Sequence, residues 1–268
     1  VQETLLQHQH AVVIGGGSVG VGVGIGRAVA CAFARCGARV SVCDVSLEAA
    51  IETVELIERA GGEALALAMD VLDESSILRA LALASERFGP VGILHNNVGL
   101  GKSGRSDRTS VKDWRRIQDA NVTALHVSCQ AVLPAMLEAG QGVLLVTSSV
   151  AAIGHVGYPH LAYSASKAAA AHFARLMAVE YGPCGIRSNA IIAGLIDTPR
   201  IEQTVAPAYR AQGITDWRAA RAAAVPMRRM GRAEEVAACA VFLCSSQASY
   251  VNGVCLRVDG GLGVTLAH

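Results

Sequence analysis

Short runs of β-branched and other apolar residues alternate with longer, alanine-rich stretches along the whole chain. The short runs fall at residues 11–14, 39–43, 64–69, 91–95, 142–147, 187–192 and 254–258. Several are apolar on consecutive residues rather than on every second one, the pattern of strands covered on both faces. The stretches between them carry apolar residues at helical spacing over 25–36, 46–60, 75–88, 111–138, 162–181 and 233–244. Alternating strands and helices joined by right-handed crossovers predict an α/β fold, a doubly wound parallel sheet with helices on both faces. No linker, repeat or low-complexity interval interrupts the rhythm, so residues 1–268 read as a single domain.

One interval departs from the pattern. Residues 198–227 replace the usual short link between strand and helix, and they carry Pro199, Pro207 and Pro226, with Tyr209, Trp217 and several arginines. A long insert at the carboxyl edge of a parallel sheet is where a lid over a substrate is expected. Arg200, Arg210, Arg218 and Arg221 in it can serve an acidic substrate, but the favoured reading for most of them is a solvated helix face.

Composition narrows the class. With 52% hydrophobic and 17% charged residues the chain can bury a large core, which excludes disorder. A net charge of +1 gives no field to attract nucleic acid or an anionic membrane. No leader peptide and no unbroken run of about 18 apolar residues is read, so no membrane partner is expected. The 8 cysteines form no CxxC pair and no Cys/His cluster with zinc-ligand spacing. No metal is expected, and reduced, buried thiols suit a cytoplasmic protein.

The chemistry is concentrated in two places. The first strand runs into GGGSVGVGVGIGRA, from Gly15 to Ala28. Glycines in a strand-to-helix turn let backbone amides approach a pyrophosphate, and the following helix points its positive end at the phosphates. This context predicts a Rossmann-type dinucleotide site. Asp44 closes the second strand, where a carboxylate can accept bonds from both adenosine ribose hydroxyls. It would repel a 2′-phosphate, and Val45 and Ser46 offer no cation, so NAD(H) is favoured over NADP(H). Asp44 can equally cap the helix that begins near Ser46.

The second place is Tyr163-Ser164-Ala165-Ser166-Lys167. A spacing of four puts Tyr163 and Lys167 on one helix face. A nearby ammonium favours the phenolate, which predicts a lowered phenol pKa and a competent general acid/base. Lysine otherwise occurs only at Lys102 and Lys112 in a chain that prefers arginine. Ser149 ends the fifth strand, where its hydroxyl can stabilise charge forming on a carbonyl oxygen. His155 and His160, between Ser149 and Tyr163, read as exposed loop histidines.

Taken together these residues resemble the short-chain dehydrogenase/reductase family from Ala11 to Gly261. The pieces that carry the resemblance are GIGRA at 24–28, Asp70-Val71, NNVG at 96–99, Asn121 in DANVTAL, SSVAA at 148–152, YSASK at 163–167, GIRSNAIIAGLIDTP at 185–199 and VDGG at 258–261. The resemblance implies a catalytic set of Asn121, Ser149, Tyr163 and Lys167, with Asn121 at an irregularity in its helix. It implies a cofactor site of Gly16, Gly20, Gly24, Ile25, Gly26, Asp44, Asp70, Val71, Asn97, Gly99, Tyr163, Lys167, Ile196 and Thr198. It also implies hydride transfer between NAD(H) and a secondary alcohol or ketone, and a homotetramer, with a dimer second.

Departures from the family pattern leave questions open. Nine positions separate Gly15 from Gly24 where the family has four, an insertion of four or five residues in the phosphate loop that leaves its register open. The gap from Ser149 to Tyr163 is one longer than in many members, so Ser148 is a rival. The irregular loop motivates a second reading, a dinucleotide-binding sensor or scaffold without turnover. Dehydration or epimerisation on the same fold is disfavoured by the intact Ser-Tyr-Lys set.

Overall fold

A computed structural model describes residues 4–20 and 22–265. The chain runs β1 (His10–Ile14), α1 (Ile25–Arg35), β2 (Arg39–Asp44), α2 (Leu47–Arg59), β3 (Ala64–Ala68), α3 (Glu74–Phe88) and β4 (Ile93–Asn96). It continues through α4 (Val111–Gln118), a π-helical turn (Asp119–Thr123), α5 (Ala124–Ala139), β5 (Gly142–Ser149), α6 (Leu161–Tyr181), β6 (Ile186–Ala193) and β7 (Ile196–Asp197). It ends with α7 (Arg200–Thr204), α8 (Ala206–Arg210), α9 (Trp217–Ala224), β8 (Gly231–Arg232), α10 (Ala233–Cys244), β9 (Cys255–Val258) and α11 (Leu262–Thr265).

Seven strands form one parallel sheet in the order β3-β2-β1-β4-β5-β6-β9. Successive residues of β1 point to opposite faces and both faces are packed. Val13 joins Phe33, Ile57 and Val236 beneath α1, α2 and α10. Val12 and Ile14 join Ile77, Leu125, Met136 and Met177 beneath α3, α5 and α6. That two-sided burial is the physical source of the consecutive apolar runs. The chain leaves β1 for β2 on one side of the sheet, while β4 lies on the other, so a crevice opens between β1 and β4 at their carboxyl ends.

Three features differ from the periodicity. The helix expected over 111–138 is broken by the π-helical turn at Asp119–Thr123. Residues 198–227 are not a plain loop but contain α7, α8 and α9. Their two ends are tied together by the β7–β8 ladder, Ile196 opposite Gly231 and Asp197 opposite Arg232, a pairing too short to leave a periodic signal. The segment has its own small core of Tyr158, Ile201, Val205, Tyr209 and Trp217.

By length and composition Val111–Ala139 is long and apolar enough to cross a membrane. Half of its most apolar stretch is buried, and α5 contributes Leu125, Cys129, Val132, Leu133 and Met136 to the core. Packing against the sheet therefore accounts for its hydropathy. All 8 cysteines are free thiols. Burial pushes Cys43, Cys129 and Cys244 up to about 12, which suppresses the reactive thiolate.

Candidate active site

The crevice widens into a cleft of about 440 Å³ that runs from the end of β2 to the first turn of α6. Asp44, Asp70, Val71, Asn97, Gly99, Ser149, Tyr163, Lys167, Ile196 and Thr198 all line it. Asn121 lies just behind this wall, buried in the π-helical turn.

The register of the glycine turn is decided by close packing. Gly24 is the N-cap of α1 and Ile25 its first residue. A Cβ on Gly26 would run into the carbonyl oxygen of Gly15, so only glycine lets α1 sit this close to the end of β1. The helix thus takes the Gly24-Ile25-Gly26 register while Gly15 ends the strand, and the residues between them are the insertion. Gly24, Ile25 and Gly26 line the cleft, but Gly16 and Gly20, expected at the phosphates, do not. Gly16 is turned under the sheet, where a Cβ would lie 2.8 Å from Val42 Cγ1. Gly20 stands exposed with no atom near its missing Cβ. Gly15, Gly17 and Ser18 take their places on the cleft wall.

The insertion is held by side chains rather than left loose. Gly17 N–H donates to Asp44 Oδ2 at 2.9 Å and Gly24 N–H to Ser18 Oγ at 3.1 Å. Asp44 also accepts from Ser46 N–H at 3.2 Å through Oδ1, but the cap of α2 is Ser46 itself, whose hydroxyl accepts from Ala49 N–H at 3.2 Å, so Asp44 lines the cleft and does not cap the helix. A Cβ on Gly22 would come 2.7 Å from Pro199 Cγ, so the loop touches the start of the 198–227 segment. One continuous cleft still joins Asp44 to Tyr163, so the described part of the loop does not plug it.

At the other end α6 places Tyr163 and Lys167 on one face, with Nζ 5.9 Å from the centre of the phenol ring. Lys167 is 3% exposed, and Nζ donates to Val98 O at 2.6 Å and Thr147 O at 2.7 Å. An ammonium has three donors, which leaves one for a ligand. Burial, and secondarily the Arg200 charge, bring the Lys167 amine down to about 7.

The phenol does not follow the expectation from sequence. Burial pushes Tyr163 above its ordinary value, and the Ser149 hydrogen bond and Arg200 charge pull it back only in part. The reason is geometric: the Lys167 amine is aimed at two carbonyls, not at the phenol oxygen. At neutral pH Tyr163 is therefore a protonated acid.

Both serines line the cleft, and they differ in what their hydroxyls bond. Ser148 is buried and donates to the Lys167 carbonyl at 2.7 Å, so it serves to hold α6 on β5. Ser149 stands near the Tyr163 phenol, whose pKa it lowers, and its hydroxyl accepts from Ala151 N–H at 3.2 Å. Asn121 closes a two-way clasp on Leu100, accepting its N–H and donating to its carbonyl, each at 2.8 Å. It also donates to Ser166 Oγ at 2.8 Å. It therefore fixes the strand end after Gly99 against α6, three residues past Tyr163.

The residues present fit a dinucleotide. The cradle at Gly15 and Gly26 admits close backbone approach, a carboxylate stands at one end, and a spare ammonium donor stands at the other. Two groups that sequence reasoning undervalued also line the cleft. His160 is buried, stacks on Tyr163 at 5.6 Å between ring centres, and is held down at about 4 by burial, so it is a neutral wall. Arg221 lies on the buried side of α9, and its four-residue spacing from buried Trp217 was a readable signal.

Comparison with known proteins agrees with this geometry. A family model described as enoyl-(acyl carrier protein) reductase matches residues 20–263. The 3β-hydroxysteroid dehydrogenase 1 of Eggerthella lenta is 39% identical over 218 residues, covering 80% of each chain. The 7α-hydroxysteroid dehydrogenase of Escherichia coli K12 is 36% identical, over 94% of this chain and 92% of that one. A short-chain dehydrogenase/reductase crystal structure from Burkholderia xenovorans superposes with a TM-score of 0.90 at 34% identity, over 97% and 98% of the two chains. The chain belongs to the short-chain dehydrogenase/reductase family. It is an oxidoreductase that moves hydride between a nicotinamide dinucleotide and a secondary alcohol or ketone, which displaces the reading as a sensor without turnover.

Proposed function

We propose that this enzyme is an NAD(H)-dependent dehydrogenase or ketone reductase with Tyr163 as its proton carrier. The observation that carries the reading is the gathering of Ser149, Tyr163 and Lys167 on the wall of one cleft that Asp44 closes at its far end. When bound, the dinucleotide supplies or accepts the hydride. Tyr163 hands its proton to the carbonyl oxygen in reduction and takes it back in oxidation. Ser149 donates to the same oxygen and stabilises the charge that forms there. Lys167 directs its spare donor at the nicotinamide ribose, and Asn121 holds the wall that positions it. Asp70, Val71, Asn97 and Gly99 line the adenine and central parts of the slot, with Ile196 and Thr198 at the nicotinamide side. Residues 198–227 close over the substrate as a lid, within one domain.

Preference for NAD(H) is supported by Asp44 on the cleft wall and by the absence of a cation at Val45 and Ser46. A 2′-phosphate would meet a carboxylate, and like charges in contact cost several kcal/mol. We expect kcat/KM with NADH to exceed that with NADPH by about 10²-fold or more. Asp44→Asn keeps an acceptor for the loop amides but removes the charge, and should cut that ratio by at least about tenfold. The assay is absorbance at 340 nm with a panel of ketones and hydroxysteroids, the latter because the two named relatives act on them. An unchanged ratio in Asp44→Asn would overturn the cofactor assignment.

A homotetramer is the proposed assembly, with a dimer second. Support comes from apolar side chains left outward on the two long helices, Leu137 on α5 and Leu176 and Val179 on α6, the last 74% exposed. Light scattering that returns the mass of one chain would refute it. A cytoplasmic location is proposed from the eight free thiols.

A further inference from the structure

We infer that the lid arginine Arg221 is an anion clamp, and that the substrate is a secondary alcohol or ketone bearing a carboxylate away from the reacting carbon. This rests on the oxidoreductase reading above and extends it to the substrate's second anchor.

Among the described residues two arginines are buried, Arg27 at 6% and Arg221 at 4% exposure. Arg27 behaves as a buried cation must. It pairs with Glu52 at 2.7 Å and donates to Thr53 Oγ1 at 3.1 Å. Arg221 has no such partner: it makes no ion pair among the described residues. Its hydrogen bond among the described residues is a 3.4 Å contact from Nε to the thioether of Met230. A thioether is a weak acceptor. A buried charge left unpaired is strongly unfavourable unless something neutralises it.

Two other arginines of the insert show that carboxylates were available. Glu202 takes both Arg210 at 2.6 Å and Arg218 at 3.0 Å, at the surface. Arg221 instead faces the cleft, on the wall shared with Tyr158, His160 and Tyr163. Trp217, at 3% exposure and one turn back on α9, anchors the helix so that the guanidinium cannot swing out to solvent without disturbing the small core. A forked guanidinium held on a cavity wall matches the two oxygens of a carboxylate.

Position sets the substrate's shape. The rings of Tyr163, His160 and Tyr158 follow one another, with centres 5.6 Å and then 4.6 Å apart, and the Arg221 charge stands near the last of them. His160 therefore stands between the reacting end and the clamp. The carboxylate is separated from the carbinol carbon by a spacer that lies along this aromatic wall.

Two measurements test the assignment. The first needs no turnover: thermal unfolding with octanoate or octanamide, which differ in charge at equal chain length. Octanoate at about ten times its Kd should raise Tm by about 3 °C or more, octanamide should not, and Arg221→Met should abolish the difference. Without ligand, Arg221→Met should melt no lower than wild type, because it removes an unpaired buried charge. The second is reduction of 5-oxohexanoate, 6-oxoheptanoate and their methyl esters. Wild type should favour acid over ester by about 10²-fold in kcat/KM, and Arg221→Met should bring the two within about threefold of each other. Arg221→Lys keeps the charge and should retain a preference of about fivefold or more.

Equal shifts with octanoate and octanamide would overturn the clamp, as would an Arg221→Lys protein that folds yet treats acid and ester alike. An Arg221-dependent octanoate shift in a protein that reduces no ketone would leave the anion site standing and remove the Tyr163 chemistry. Ketone reduction indifferent to the carboxylate would do the reverse.

Discussion

Tyr163→Phe should lower kcat for ketone reduction by about 10³-fold while NADH affinity stays within about twofold of wild type. The substitution deletes one hydroxyl and keeps the ring that stacks on His160 at 5.6 Å, so the cleft wall survives. What disappears is the proton donor beside Ser149. The pH profile gives a second readout. Burial raises the phenol pKa, so the neutral acid needed for reduction persists through the neutral range. Alcohol oxidation needs the ionised form, whose fraction grows tenfold per pH unit below the pKa. Oxidation should therefore climb with pH across neutrality, and Tyr163→Phe should lose the climb. Equal turnover by both proteins would remove Tyr163 from the mechanism.

Gly26→Ala should destabilise the protein by about 1–3 kcal/mol and weaken NADH binding at least tenfold, because one methyl group forces a helix away from a strand. The new Cβ would meet the carbonyl oxygen of Gly15, and Asn97 Nδ2 at 2.8 Å. The first obstacle is backbone and cannot rotate aside. The second already donates to the Gly15 carbonyl at 3.0 Å, so relief at one point disturbs the other. The N-terminus of α1 and the floor of the slot would both move. Urea unfolding and NADH fluorescence titration read the two effects. Wild-type values in both would show that the phosphate loop is not built on this contact.

The glycine turn shows where sequence reasoning stops. Two registers satisfied the spacing, through Gly16-Gly20-Gly22 and through Gly20-Gly24-Gly26. Spacing along a chain cannot tell which glycine needs its missing Cβ, since that depends on atoms brought from elsewhere. Val42 answers the question for Gly16 and Gly15 for Gly26. Ser148 and Ser149 pose the same problem. Both line the cleft, and what distinguishes them is the helix packed across the strand, whose Lys167 carbonyl takes up the Ser148 hydroxyl. Arg221 is a third case, in which charge pattern suggested a solvated face and burial reversed it.

The chain's own pattern settled the alternating strands and helices, the sheet buried on both sides, the Tyr163–Lys167 pair and the position of Asp44. Those are local facts, because hydrophobic periodicity and a one-turn spacing are written in neighbouring residues. Packing alone decided the helix register after β1, the aim of Lys167 at Val98 and Thr147 rather than at the phenol, and the unpaired cation on the lid. Each of these is a matter of which distant groups share a small volume and how far they are removed from water, and no arrangement of residues in one dimension contains that distance.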